Sequence, residues 1–233
     1  MTLSGVQVIV LFQKISAKYI AYSHTTCAYI AFALALIVGC YTHYEKIVQN
    51  EYFGYPDEWI PSVSATTGDR YPARAIFQIF IALTSGPRLA LVFLWYLLSQ
   101  NKFLLIVGLI RTVSCGGWVY ITSTDDHSTH DVAMIIYVLC TLPWMLSVLA
   151  TASQDPVGLK RRRLLVIAFF GTLVPMVYFF IQHKVHQVPG AYTIYAFFEW
   201  SLIVYDVGFD ALSCYEFDRF DLKIYPRTAK GMV

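Results

Sequence analysis

Long apolar runs alternate with short polar segments along the whole chain. Six runs stand out, at 22–41, 75–98, 103–122, 132–150, 164–181 and 191–212. Each has close to the ~20 residues that carry a helix across a ~30 Å hydrocarbon core. A helix closes its own backbone hydrogen bonds and so stands in lipid. Barrel strands would be ~10 residues long and would alternate apolar with polar positions, and these runs do neither. The pattern predicts an all-α, polytopic membrane protein, a six-helix transmembrane bundle. Segment 6–12 is apolar but too short to span, and is read as a lipid-surface or packed segment. No cleavage-site pattern follows it, so the first span is expected to act as its own insertion signal. With no internal repeat and no dividing linker, residues 1–233 read as a single membrane domain, with a long loop at 43–74 and a tail at 213–233.

Composition agrees. Hydrophobic residues make up 57% of the chain and charged residues 14%, with a mean hydropathy of +0.55, more apolar surface than a soluble domain of this size can hide. The five cysteines avoid the three loops assigned to the lumen, which leaves no disulfide framework.

The 17 basic residues set the orientation. Eleven fall on one set of segments: Lys14, Lys18, Lys102, Lys160, Arg161, Arg162, Arg163, Arg219, Lys223, Arg227 and Lys230. Four fall on the other, Lys46, Arg70, Arg74 and Lys184. Positive charge stays in the cytosol, so both termini are expected there. Segments 43–74, 123–131 and 182–190 then face the lumen or the exterior. The basic run 160–163 is read as a topology anchor rather than a nucleic-acid or phosphoinositide patch, and no nucleic-acid partner is expected.

Charge inside the spans changes the picture most. Arg88, Arg111, Glu199 and Asp206 lie within apolar runs, with Asp210 near the end of the last. An ionised group at mid-membrane costs several kcal/mol unless it is paired or hydrated. At 1.5 Å per residue, Arg88, Arg111 and Asp206 lie ~15, ~12 and ~9 Å from the cytosolic face. They form one layer, in which Asp206 is expected to neutralise Arg88 or Arg111. Glu199, Asp206 and Asp210 share one helical face by their spacing. Glu199 sits above that layer, ~12 Å below the lumenal end. There it is a candidate general acid or base at the floor of a lumenal cavity, with Trp200, Tyr192 and Tyr195 beside it. A satisfied structural glutamate is the competing reading. Gly86-Pro87 is a candidate break in the second span.

The lumenal segments hold the remaining chemistry. Residues 123–131 contain three Asp and two His. Asp126, His127 and His130 are candidate acid–base residues, and the same residue types are the ligands of a lumenal zinc site. The competing reading is a solvated loop with Thr129 or Asp131 capping the fourth span. The first loop is rich in aromatics and prolines, unlike a flexible linker. It reads as a roof over a lumenal cavity, with Trp59 and Tyr71 at headgroup level and Arg70 as a donor to a phosphate.

The run Phe53-Gly-Tyr-Pro-Asp-Glu-Trp-Ile-Pro-Ser-Val-Ser-Ala-Thr-Thr-Gly-Asp-Arg-Tyr-Pro72 and its continuation Ile76-Phe-Gln-Ile-Phe-Ile-Ala-Leu-Thr-Ser-Gly-Pro-Arg88 resemble the amino-terminal part of the fungal calcofluor-white-hypersensitive family. More distantly, Pro61-x-x-Ser64, Gly68 and Tyr71-Pro72 are similar to the FRAG/DRAM/Sfk superfamily, which includes the post-GPI-attachment-to-proteins factor two family. The resemblance implies remodelling of the lipid of GPI anchors in the endoplasmic reticulum or Golgi, with a ceramide or acyl donor. The expected partners are the GPI-anchor lipid and other membrane lipids. Fungal members usually carry a second, larger membrane half, and the resemblance implies that a separate chain supplies it. It assigns no catalytic residue. The alternatives are a lipid-binding subunit that presents the anchor to a partner enzyme, and a lipid transporter. Trp59, Arg70, Tyr71 and Tyr195 are the expected lipid contacts.

Overall fold

A computed structural model describes residues 13–152 and 156–224. The apolar segment 6–12, the basic residues Arg227 and Lys230, and the tail 229–233 lie outside the described residues. In chain order the elements are β1 (Gln13–Ser16), α1 (Lys18–Ile47), α2 (Val63–Gly68), α3 (Ala73–Ser99), α4 (Lys102–Tyr120), α5 (His127–Thr151), α6 (Pro156–Lys184), α7 (Ala191–Ala211), α8 (Cys214–Phe217) and β2 (Asp221–Ile224).

Five of these helices, α1, α3, α4, α5 and α6, are long and apolar enough to cross a membrane. The sixth, α7, has 21 residues, ~32 Å of helix, but carries three carboxylates. Its sidedness resolves the conflict. Glu199, Asp206 and Asp210 are buried, whereas Phe197, Ile194 and Val204 are exposed. A helix that hides its charges and shows its apolar face outward is built for lipid rather than water. Helix α3 passes through Gly86-Pro87 without interruption. Helix α1 has one non-helical residue, His43 (φ −144°, ψ 28°), where its ring Nε2 lies 2.9 Å from the Tyr71 carbonyl.

Two boundaries differ from the hydropathy pattern for local reasons. Helix α5 starts at His127, five residues before its apolar run, because the Asp126 side chain accepts the Thr129 amide at 3.1 Å and the Thr129 hydroxyl at 2.7 Å. An N-cap of this kind satisfies amides that the first turn leaves unpaired. Residues 127–131 are therefore helix rather than loop, and the cap is Asp126 rather than Thr129 or Asp131. Helix α6 starts at Pro156, so the basic run 160–163 is helical. Arg162 is buried in a bidentate bond to Glu216, 2.6 Å on each arm, with its guanidinium 5.3 Å from the Trp95 ring centre. It joins α6, α8 and α3, a packing role beyond a surface anchor.

Around the bundle the helices run α5, α4, α3, α1, α7, α6, each packed on the next. Gly108 allows the tight part of this ring: a Cβ there would come within 2.7 Å of both Trp144 and Val92. The ring does not close. Helices α5 and α6 are consecutive in sequence yet barely touch, and α6 leans almost wholly on α7. At one end of the bundle β1 and β2 pair antiparallel, Ser16 opposite Asp221, which brings both ends of the described chain together. At the other end the long first loop folds inward and delivers α2, with Val63, Ala65, Thr66, Thr67 and Gly68 all buried.

Candidate functional site

Inside the ring is a cavity of about 350 Å³, within the ~300–1,000 Å³ range of ligand sites. All six long helices and α2 contribute to its walls, which are overwhelmingly apolar. It opens at the α5–α6 seam. Ile135 and Leu139 on α5 and Val177 on α6 belong to its lining and are also exposed on the outer face. An apolar slot at mid-helix depth admits a hydrocarbon chain sideways from the bilayer.

The end of the cavity nearer β1 and β2 holds a buried ion network. Arg111 is buried and uses every nitrogen: Nη2 pairs with Asp206, Nη1 donates to Asp210 at 3.0 Å, and Nε donates to the Thr141 hydroxyl at 3.2 Å. The Tyr137 hydroxyl donates to the second oxygen of Asp206, and the Trp144 indole to that of Asp210 at 3.1 Å. Of the two arginines, it is Arg111 that Asp206 meets. Arg88 instead donates from Nε to the neutral ring nitrogen of His24 at 3.1 Å and lies 5.8 Å from the Tyr137 ring centre. Its Nη1 is buried without a partner, and its side chain lines the cavity.

The opposite end is built by α2. Glu199 accepts the Val63 amide at 2.7 Å, with the Tyr195 hydroxyl as its side-chain partner one turn away. Tyr192 accepts the Ser62 amide at 3.1 Å, and Trp200 donates to the Pro61 carbonyl at 2.9 Å. Gly68 lies close against Thr122, where a Cβ would sit 3.1 Å from the threonine Cβ. Glu58, fully buried, accepts from the Gly190 amide (3.0 Å) and from the Thr193 amide and hydroxyl (2.8 Å each). The long loop is thus fastened to the start of α7. So held, α2 presents Ser64 to the cavity. The Ser64 hydroxyl lies 3.4 Å from His130 Nε2, and His130 Nδ1 is 2.9 Å from the Ile121 carbonyl.

The structure brings His130, Glu199 and Tyr195 together around this end. Asp126 and His127 stand outside it. Asp126 caps α5, its carboxyl held below the usual carboxylate range by the Thr129 hydroxyl and amide. His127 is exposed, 3.3 Å from Asp131. Trp59, Arg70 and Tyr71 are exposed on the surface of the same end. Beside them Arg74 pairs with Asp125, which lowers the Asp125 pKa. Burial pushes Asp69 up to about 6, against the opposing pull of Arg70, His130 and Arg74. Among the described residues, no three His, Cys, Asp or Glu side chains converge as a metal-ligand set.

Sequence reasoning gave Ser64 no catalytic role and passed over His24, Tyr137 and Asp69. Ser64 had a signal in Pro61-x-x-Ser64, and His24 had one as the single histidine inside a span.

The fold and the site define a polytopic helical membrane protein with an apolar chamber open between two helices. The chain belongs to the Frag1/DRAM/Sfk1/Cwh43P N-terminal domain family, whose pattern matches residues 16–220. It is 47% identical over 207 residues to Protein cwh43 of Schizosaccharomyces pombe, an alignment covering 87% of this chain and 21% of that one. It is 24% identical over 238 residues to the Post-GPI attachment to proteins factor 2-like protein of Drosophila melanogaster (88% of this chain, 72% of the relative). It is 22% identical over 187 residues to Acyltransferase PGAP2 of Xenopus tropicalis (71% and 74%). The chain spans about a fifth of the length of the fission-yeast relative. No solved structure matches.

Proposed function

We propose that this bundle remodels the lipid of GPI anchors in the lumenal leaflet of the endoplasmic reticulum or Golgi, exchanging or restoring a chain of acyl or ceramide type. Family membership and the relatives named for GPI attachment and acyl transfer support the class of reaction. The observation that carries it to this chain is the cavity. A hydrocarbon chain enters at the α5–α6 seam and lies against an apolar wall, while Ser64, His130 and Glu199 stand at one end of it. That end is assigned to the lumen by the basic-residue count, with both chain termini cytosolic. Arg70, Trp59, Tyr71 and His127, exposed around it, then meet the phosphoinositol head. His130 moves the proton that chain transfer requires, and Glu199 holds α2 in register.

The extra length of the fission-yeast relative supports a second reading. In it the bundle binds and presents the anchor lipid, and the chemistry lies in another segment, on the same chain or on a partner. Two measurements test both. Mass spectrometry of GPI-anchor lipids from cells lacking the protein should show an altered chain composition that the wild type restores; an unchanged composition removes the proposal. Purified protein given lyso-GPI and a chain donor should form product unaided. Lipid binding without product favours presentation.

A further inference from the structure

The hydroxyls of α2 divide into two kinds. Those of Thr66 and Thr67 bond back to the Ser62 and Val63 carbonyls at 2.7 and 2.8 Å, a local arrangement that aims their protons at their own helix. Ser64 has no such carbonyl; its hydroxyl faces His130 across 3.4 Å and lines the cavity. The carbonyl of Ile121 can only accept, so the His130 Nδ1 beside it carries the hydrogen in the neutral ring. Nε2 then holds a free lone pair aimed at Ser64. Nucleophile, base and a group that fixes the base's tautomer form a chain of the kind that activates serine, and such contacts are long in an empty site. His130 is buried, and α2 is held by the Ser62 cap, Glu199 and Tyr192. The pair is thus rigidly mounted at the lip of a chain-sized chamber.

We propose that Ser64 is a transient acyl carrier with His130 as its general base, and that the substrate is a long-chain fatty acyl ester or thioester whose chain fills the cavity. This deepens the remodelling reading and rests on it. In the first half-reaction Ser64 Oγ bonds to the acyl carbonyl carbon as its proton passes to His130 Nε2. The bond from that carbon to the donor oxygen or sulfur breaks, and the leaving group takes the proton from His130. In the second, a lysolipid hydroxyl oxygen bonds to the same carbon and gives its proton to His130. The Ser64 ester bond breaks, and Oγ recovers the proton. One ester replaces another, and no oxidant or reductant is needed.

The test incubates the purified full chain in lipid nanodiscs with a palmitoyl ester or thioester bearing a terminal alkyne, without acceptor, followed by peptide mass spectrometry. The expected result is an acyl adduct on Ser64 that survives neutral hydroxylamine. Ser64→Ala abolishes it, and His130→Ala lowers its rate by roughly 100-fold or more. Ser64→Cys, which keeps size and fold, traps the chain as a hydroxylamine-labile thioester. Turnover to lyso-GPI is measured in parallel. Full turnover by Ser64→Ala, or an adduct on the cavity-lining Cys115 in its place, overturns the acyl-serine and leaves the remodelling reading standing. No adduct and no turnover by any variant, together with unchanged anchors in cells lacking the protein, overturns both.

Discussion

The two ends of the cavity are made from the same kinds of side chain and behave in opposite ways. At the terminal end, each oxygen of Asp206 and Asp210 and each nitrogen of Arg111 has a partner. At the loop end, Ser64 and His130 make one loose contact, burial raises the Asp69 pKa to about 6, and Glu199 is held by the Val63 amide and the Tyr195 hydroxyl. A buried ion pair repays its desolvation only when the geometry is complete. The Arg111 cluster meets that condition and works as architecture, fixing α4, α5 and α7 to one another, while Arg88 beside it keeps a partnerless Nη1 at the cavity wall. At the loop end the carboxylates of Glu58 and Glu199 are spent on fastening the loop and α2, and the Ser64–His130 contact is left loose where a substrate would meet it.

The sharpest way to break this contrast is Arg111→Ala. It strands two buried carboxylates, and losing one side of a buried pair costs about 3–5 kcal/mol. The folded fraction on size-exclusion chromatography should collapse. Ser64→Ala at the other end should leave elution and Tm where they were, because no neighbour loses a strong bond. Equal damage from both substitutions would abolish the distinction. Restoring folded yield by exchanging the charges of Arg111 and Asp206 would sharpen it.

Much of the terminal end was legible in the sequence. Depth counting placed Arg88, Arg111 and Asp206 in one layer because helix rise is constant, and the seven- and four-residue spacing put three carboxylates on one inward face of α7. The partner of Arg88 was not legible by charge, because it is a neutral imidazole. His24 earns notice only once a histidine within a span is counted with the ionisable residues. The loop end was legible in composition and opaque in geometry. Residues 123–131 looked like one acid–base cluster, but the Asp126 cap extends α5 through it. Helical periodicity then turns His130 inward and leaves His127 in solvent. Ser64 and His130 are 66 residues apart in sequence, and no spacing rule joins them. Only the docking of α2 by Glu199, Tyr192 and Trp200 does.

The seam gives an intermediate effect. Leu173 on α6 lines the cavity, and Leu173→Trp puts an indole where the chain should lie. Helix α6 touches little besides α7, so overpacking can be relieved outward at a cost of about 1–3 kcal/mol or less. Chain exchange should fall by about tenfold, while photo-crosslinking of a diazirine fatty acid to the cavity wall falls in parallel. Unaltered exchange with a filled cavity would mean that the chain enters elsewhere.

The smallest effect comes from Asp69, and its sign follows from linkage. Burial raises its pKa from 3.8 to about 6, so between those values the folded protein binds more proton than the unfolded chain. Stability therefore falls as pH rises through that window, and above it the ionised carboxylate is a standing penalty. The shift of about two units, discounted for a half-buried group beside solvent, is worth roughly 1–2 kcal/mol. Asp69→Asn removes it. The variant should melt about 2–6 °C higher than wild type at pH 7.5, and the gap should shrink as the pH falls through 6 and close only below the unfolded value of 3.8, where the wild-type carboxyl is protonated in both states. A variant that melts lower at neutral pH would show Asp69 paired to Arg70 or Arg74 strongly enough to offset its burial. The loop end would then be as completely partnered as the Arg111 layer.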